Sequence, residues 1–258
     1  MPLTPVRPLI DRLLADVDRA IPGLLEGLYV VGSVALDDYR GDRSDLDYIG
    51  VLGRSLTPGE FEALGAAHDR LGLAKYEGIY VTWDDLTHPP VPELGSAHVS
   101  EAGFLPRAGF NANPAMWRTL KRHGLAARGP GPAHVEVFDD DDLLTTFCRE
   151  NLTRYWRTWG RSVARPGKNW LFGLTDGGVV WGALGPPRLL CTIATGRIIS
   201  KTDAAQYGID TFGDEWRPLL ESARRCRVEG TGSPLLPRWR RRNDLVRFVE
   251  LVCARADD

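Results

Sequence analysis

Asp45 and Asp47 stand two residues apart where the apolar run Leu46-Asp47-Tyr48-Ile49-Gly50-Val51-Leu52 begins. Side chains alternate between the faces of a strand, so these two carboxylates project together and can converge on one or two hard cations. That arrangement suits phosphoryl transfer, in which positioning and charge stabilisation do most of the catalytic work. Upstream, Leu28-Tyr29-Val30-Val31 ends in Gly32-Ser33. Glycine lets the backbone approach a phosphate closely, and a serine at a strand-to-helix turn offers its hydroxyl and the helix N-terminal amides to phosphate oxygens. An acidic pair at a strand end is by itself usually solvated surface; the Gly-Ser upstream is what gives it meaning.

These residues must be held by the elements around them. Leu9, Ile10, Leu13, Leu14, Val17 and Ile21 recur at helical spacing and predict an amphipathic first helix stopped by Pro22-Gly23. The runs 28–31 and 46–52 read as strands, with a short turn-rich segment between them. Thr57, Pro58 and Glu60 give a capping box with proline at the first helical position, predicting a helix from Thr57 to Gly72 before a third strand, Tyr76 to Trp83. Prolines 89, 90, 92 and 106, with several glycines, make Thr87 to Asn113 an expected irregular crossing segment. Beyond it Pro114–His123, Asp140–Trp159, Pro187–Thr195, Thr202–Tyr207, Trp216–Cys226 and Asn243–Ala254 all read as helices. The expected organisation is an α/β domain over residues 1–99, a crossing linker over 100–113, and an all-α helical bundle over 114–258.

Composition excludes more than it identifies. With 43% hydrophobic and 26% charged residues and a net charge of -2, the 258-residue chain has the make-up of a soluble globular enzyme, and it lacks the basic excess that tight binding to nucleic acid needs. Cys148, Cys191, Cys226 and Cys253 are too widely spaced for a zinc site or a disulfide framework and read as reduced core thiols. The N-terminus shows no leader pattern and no apolar stretch reaches the roughly 20 residues of a membrane span, so a cytoplasmic protein without a membrane partner is expected. Asp139 to Asp142 precede an apolar helix and suit its N-terminal dipole, while Arg238 to Arg242 read as a solvated linker and helix start. The five histidines have no metal-ligating spacing and stand beside no recognisable nucleophile.

Gly-Ser at a strand end, about ten residues, and then Ser44-Asp45-Leu46-Asp47 opening the next strand resembles the signature of the DNA polymerase beta type nucleotidyltransferase superfamily. The resemblance implies a polymerase-beta-like mixed sheet with helices, Mg2+ held by Asp45 and Asp47, and phosphate contacts from Gly32, Ser33 and Ser44. It also implies a third carboxylate on a later strand, a metal ligand or a base for the incoming hydroxyl. Glu77, opening the run Glu77-Gly78-Ile79-Tyr80-Val81, is the candidate.

Farther along, Pro114 to Pro130 and Arg188 to Ala205 look like the helical C-terminal domain of the aminoglycoside nucleotidyltransferases that adenylylate streptomycin and spectinomycin. There the nucleotide lies between the domains, and Arg188 and Lys201 occupy the positions of basic groups that offset charge on the triphosphate. The implied reaction is transfer of AMP from ATP to a hydroxyl of a small cationic acceptor. Alternatives are the same chemistry on a protein or another metabolite, and a non-catalytic nucleotide-binding protein; three retained carboxylates argue against the last. One departure concerns the acceptor. Trp170 and Asp176 stand out of register with the family's antibiotic-contacting Trp and Asp, so a core Trp and a turn Asp are expected there, with compact spectinomycin-like acceptors favoured over streptomycin-like ones.

Overall fold

The apolar run that follows Asp45 forms strand β2 (Leu46–Leu52), and its neighbours are β1 (Leu25–Val30) and β3 (Tyr76–Thr82). β1 and β2 pair antiparallel, whereas β2 and β3 pair parallel. A parallel pair cannot be joined by a tight turn. The connection is made by helix α3 (Pro58–Leu71), whose start is fixed by the expected capping box: Thr57 Oγ1 accepts from Glu60 N, and the Glu60 carboxylate accepts from Thr57 N at 2.9 Å. The remaining strands are β4 (Ala97–Ser100), β5 (Gly103–Pro106) and β6 (Leu125–Arg128), giving one six-stranded mixed sheet in the order β5-β4-β3-β2-β1-β6.

The strand alternation assigns each face its core. Leu46, Tyr48 and Leu52 turn towards α1 (Arg7–Ala20), which buries Ile10, Leu13 and Val17, and towards Leu64 and Leu71 of α3. On the other face Ile49 and Val51 meet Ile79 and Val81 of β3, with Leu86 of the short α4 (Trp83–Leu86) and Trp117 and Leu120 of α5 (Pro114–His123) against them. Two glycines let the aromatic residues of adjacent strands fit. A Cβ on Gly78 would come within 2.5 Å of the Tyr48 ring, and one on Gly50 within 2.7 Å of Tyr80. Tyr48, Tyr80 and His68 form a buried polar cluster, with the imidazole Nε2 2.8 Å from the Tyr80 hydroxyl.

The described residues are 3–107, 109–231 and 237–257 of the chain in this computed structural model. They divide into two compact units, Met1–Asp140 and Asp141–Asp258. Met1 and Pro2, the start of the N-terminal segment read for a leader, lie outside the described residues, as does residue 108 within the expected linker. The first unit thus runs well beyond residue 99. Part of the segment expected to be irregular is the β4–β5 hairpin, whose Pro106 sits on an edge strand where a missing N–H does no harm. β6, in a stretch given no element by periodicity, completes the opposite edge by pairing with β1. Asp139 closes the unit by a buried ion pair with Arg118 of α5.

The second unit is helical throughout its named elements. α6 (Asp141–Glu150), with Asp141 and Asp142 in its first turn, runs through a π-helical stretch (Asn151–Trp156) into α7 (Arg157–Ala164). α8 (Lys168–Phe172), α9 (Asp176–Thr195), α10 (Lys201–Phe212), α11 (Arg217–Glu229) and α12 (Arg238–Arg255) follow. α9 begins eleven residues earlier than Pro187 led one to expect, with Pro186 and Pro187 inside it. Interior prolines cost a helix about 3 kcal/mol. Burial offsets this: Gly182 and Gly185 admit the rings of Trp159 and Trp156, which a Cβ at either position would meet at 2.4 Å. All four cysteines are free and buried, as expected. Among the described residues no helix is long and apolar enough to cross a membrane.

Candidate active site

Because β1 and β2 are antiparallel, the end of β1 lies beside the beginning of β2. Val31 N donates to the Asp47 carbonyl at 3.0 Å, and the chain then turns into the short helix α2 (Gly32–Ala35). Gly32 adopts φ +57, and a Cβ there would lie 1.9 Å from Asp47 Oδ2. The position therefore demands glycine twice, for its backbone and for the carboxylate packed against it. Ser33 N donates to the same Oδ2 at 3.3 Å. The Ser33 hydroxyl is buried with no hydrogen-bond partner among the described residues. Several other buried side-chain atoms among the described residues also lack a partner, so it is the place of Ser33 beside Asp47, and not the orphan alone, that fits a donor reserved for a ligand.

The parallel register sets Asp47 directly beside Glu77. Both share the face of Ile49 and Ile79, at the strand ends where that face gives way from core to half-buried carboxylates. Asp45, two residues before Asp47 and also half-buried, belongs to the same end of the sheet. Asn111 reaches Glu77 from the segment after β5, its Nδ2 donating to Oε1 at 3.3 Å, and is itself 4% exposed. Periodicity did not single out Asn111. Nearby, Asn113 caps α5 by accepting from Met116 N at 3.0 Å. Ser44 is buried, and its Oγ accepts from Arg40 N at 3.0 Å.

Among the described residues no three His, Cys, Asp or Glu side chains close into a ready-made metal cage. A magnesium ion does not need one, since it keeps several waters and commonly takes one or two carboxylates together with substrate phosphates. Two hard carboxylates on one strand end, with the unpartnered Ser33 hydroxyl beside them, fit that mode of binding.

In the second unit, Arg188 of α9 donates from Nε to the Ile199 carbonyl at 2.9 Å, which brings it to the segment that leads into Lys201. Lys201 opens α10, capped by Ser200, and its Nζ lies 5.7 Å over the Trp181 ring. Trp170 and Asp176 have internal partners. Arg242 stacks on the Trp170 ring at 5.1 Å, and Asp176, the first residue of α9, pairs with Arg241 at 2.7 Å. Thus part of the basic run read as solvated is packed: Arg241 is 3% exposed. A cluster of cations at a helix N-terminus is electrostatically unfavourable, and Asp176 offsets it.

Residues 182–255, holding Arg188, Lys201 and most of the bundle, match the family model described as the aminoglycoside adenylyltransferase C-terminal domain. That segment resembles the aminoglycoside adenylyltransferases. The protein is accordingly an enzyme of the nucleotidyltransferase class, in keeping with the resemblance read from its sequence. The adenylyltransferase segment begins after Trp170 and Asp176, so those two residues lie outside the match. Among solved structures, the chain is similar to spectinomycin adenyltransferase AAD(9) from Enterococcus faecialis with ATP and spectinomycin. The TM-score is 0.70 at 16% identity, covering 98% of this chain and 99% of that one. At that identity the likeness is one of fold, and it agrees with the expected mixed sheet followed by a helical part. None of the curated proteins compared matches significantly.

Proposed function

We propose that this adenylyltransferase moves AMP from ATP to a hydroxyl of an aminoglycoside or aminocyclitol of the spectinomycin type, with Mg2+, and releases pyrophosphate. One observation carries the reading: the antiparallel β1–β2 pair and the parallel β2–β3 pair bring Gly32, Ser33, Asp47 and Glu77 to one end of the sheet. The aminoglycoside adenylyltransferase match supports the substrate class, and the fold shared with a spectinomycin enzyme favours the compact acceptor.

In this mechanism Asp45 and Asp47 hold magnesium, which when bound neutralises charge on the phosphates. Gly32 gives the nucleotide close approach to the backbone. The Ser33 hydroxyl donates to a phosphate oxygen, and Ser44 supports the same loop. Glu77 accepts the proton of the acceptor hydroxyl as its oxygen attacks the α-phosphorus in line, and the bond to the β-phosphate breaks. Asn111 holds the Glu77 carboxylate in one orientation for that transfer. Arg188 and Lys201 supply positive charge to the departing pyrophosphate. Acidic residues suit a cationic acceptor better than an anionic one, so acceptor binding weakens with salt.

The deciding experiment incubates the protein with ATP, magnesium and a panel of aminoglycosides and aminocyclitols. Pyrophosphate release is followed together with the mass of each drug. A mass gain equal to one adenylyl group, AMP less water, on spectinomycin is expected. If the protein binds magnesium-ATP but modifies no panel member, the antibiotic reading is rejected.

A further inference from the structure

The loop between Ser33 and Asp45 contains no strand, yet it is tied together at successive points. Asp38 N donates to the Ser33 carbonyl at 2.7 Å, and Asp37 before it is held at φ 53, a conformation unusual for any residue but glycine. The Asp38 side chain is 3% exposed, and its Oδ1 accepts from Arg40 Nε at 3.1 Å and Nη2 at 3.0 Å. Arg40 N in turn donates to the buried Ser44 Oγ, and Ser44 is bonded covalently to Asp45. With Ser33 N on Asp47 Oδ2, the contacts close a circuit from Ser33 through Asp38, Arg40 and Ser44 to the two aspartates and back.

We infer that Asp38 and Arg40 are positioning residues for the Asp45 and Asp47 cation site; this rests on the magnesium role proposed above for those two aspartates. An ion pair with one buried partner is a weak device for stability, because desolvation of that carboxylate offsets much of the attraction. What it does provide is a fixed geometry. Here the fixed element joins the residue that contacts phosphate to the residues that hold the cation. Without the pair, the loop must be ordered anew each time magnesium-ATP binds, which lowers affinity without removing any ligand.

The test compares Asp38→Asn and Arg40→Met with Asp47→Ala. Calorimetry of ATP binding at graded magnesium gives the concentration needed for half-maximal binding, and hydrogen exchange without ligand reports on amides 36–45. For both loop variants the half-saturating magnesium should rise at least about tenfold and amide exchange in the loop should quicken, while Tm stays within about 2 °C of wild type. If Asp47→Ala loses magnesium-dependent binding but both loop variants keep the wild-type dependence, the inference is overturned and the metal reading stands. If Asp47→Ala also keeps it, the metal reading fails and takes the inference with it. A lowered Tm with unchanged magnesium dependence marks the pair as merely structural and overturns the inference too. Arg40, 31% exposed, provides the variant for this comparison should Asp38→Asn fail to fold.

Discussion

Replacing Gly32 by alanine tests the site through the smallest possible change, one methyl group. Its Cβ would lie 1.9 Å from Oδ2, 2.4 Å from Cγ and 2.7 Å from Cβ of Asp47, so the whole side chain is in the way. Real Cβ atoms essentially never come closer than 3.0 Å to another heavy atom, which makes the carboxylate retreat by about 1.1 Å or the turn move by as much. A misplacement of about 1 Å at a reacting centre costs on the order of a hundredfold in rate. The left-handed φ of +57 adds about 1 kcal/mol of backbone strain for an L-residue, or roughly 2–4 °C in Tm. The expected result is thus a folded protein, slightly less heat-stable, whose pyrophosphate release with ATP, magnesium and spectinomycin falls about a hundredfold. Thermal unfolding and steady-state kinetics on one preparation separate the two effects. A Gly32→Ala enzyme within threefold of the wild-type rate would refute the claim that Asp47 must stand where the structure puts it.

Asp47→Ala should abolish transfer and magnesium-dependent ATP binding while leaving Tm nearly unchanged, since a half-buried strand-end carboxylate contributes little packing; activity within tenfold of wild type sinks its metal role. Glu77→Gln should bind ATP and acceptor normally and turn over about a hundredfold more slowly, and loss of ATP binding with an unchanged rate constant would make Glu77 a purely structural or metal-holding group. Burial holds the His68 imidazole down at about 4, below its ordinary 6.5. The unfolded chain therefore binds the extra proton first, and the stability at stake, about 3 kcal/mol, is complete above pH 6.5 and lost as pH falls towards 4. Urea midpoints measured from pH 7 to 4 should fall more steeply for wild type than for His68→Phe, and parallel curves would contradict this. Burial likewise pushes the Cys253 thiol up to about 12 and Cys226 to about 11, so a thiol reagent at pH 8 should label either only after unfolding, as timed mass spectrometry would show.

The sequence by itself determined the local parts of this protein. The alternation around Asp47 and Glu77 placed two strands, Thr57-Pro58 with Glu60 placed the start of α3, and the Gly-Ser and Asp-x-Asp spacing marked the residues now found at one end of the sheet. Each of these signals lies within a few residues and reflects backbone geometry or capping, which a chain carries wherever it folds. What the sequence did not determine was decided by partners far away along the chain. That Asp47 lies beside Glu77 depends on a parallel register set across α3, thirty residues apart. β6 is four residues long and half-buried at every position, with no alternation to read, and it is a strand because β1 offers it an edge. Proline concealed both β5, where the edge excuses it, and the first half of α9, where Trp156 and Trp159 seated against glycines offset its cost. Asn111 and the Asp38–Arg40 pair became visible only in the fold, because a hydrogen bond to a distant carboxylate or the burial of a loop charge leaves no periodic trace. Local geometry is written in neighbouring residues, whereas the meeting of a site's side chains is settled by long-range pairing and burial.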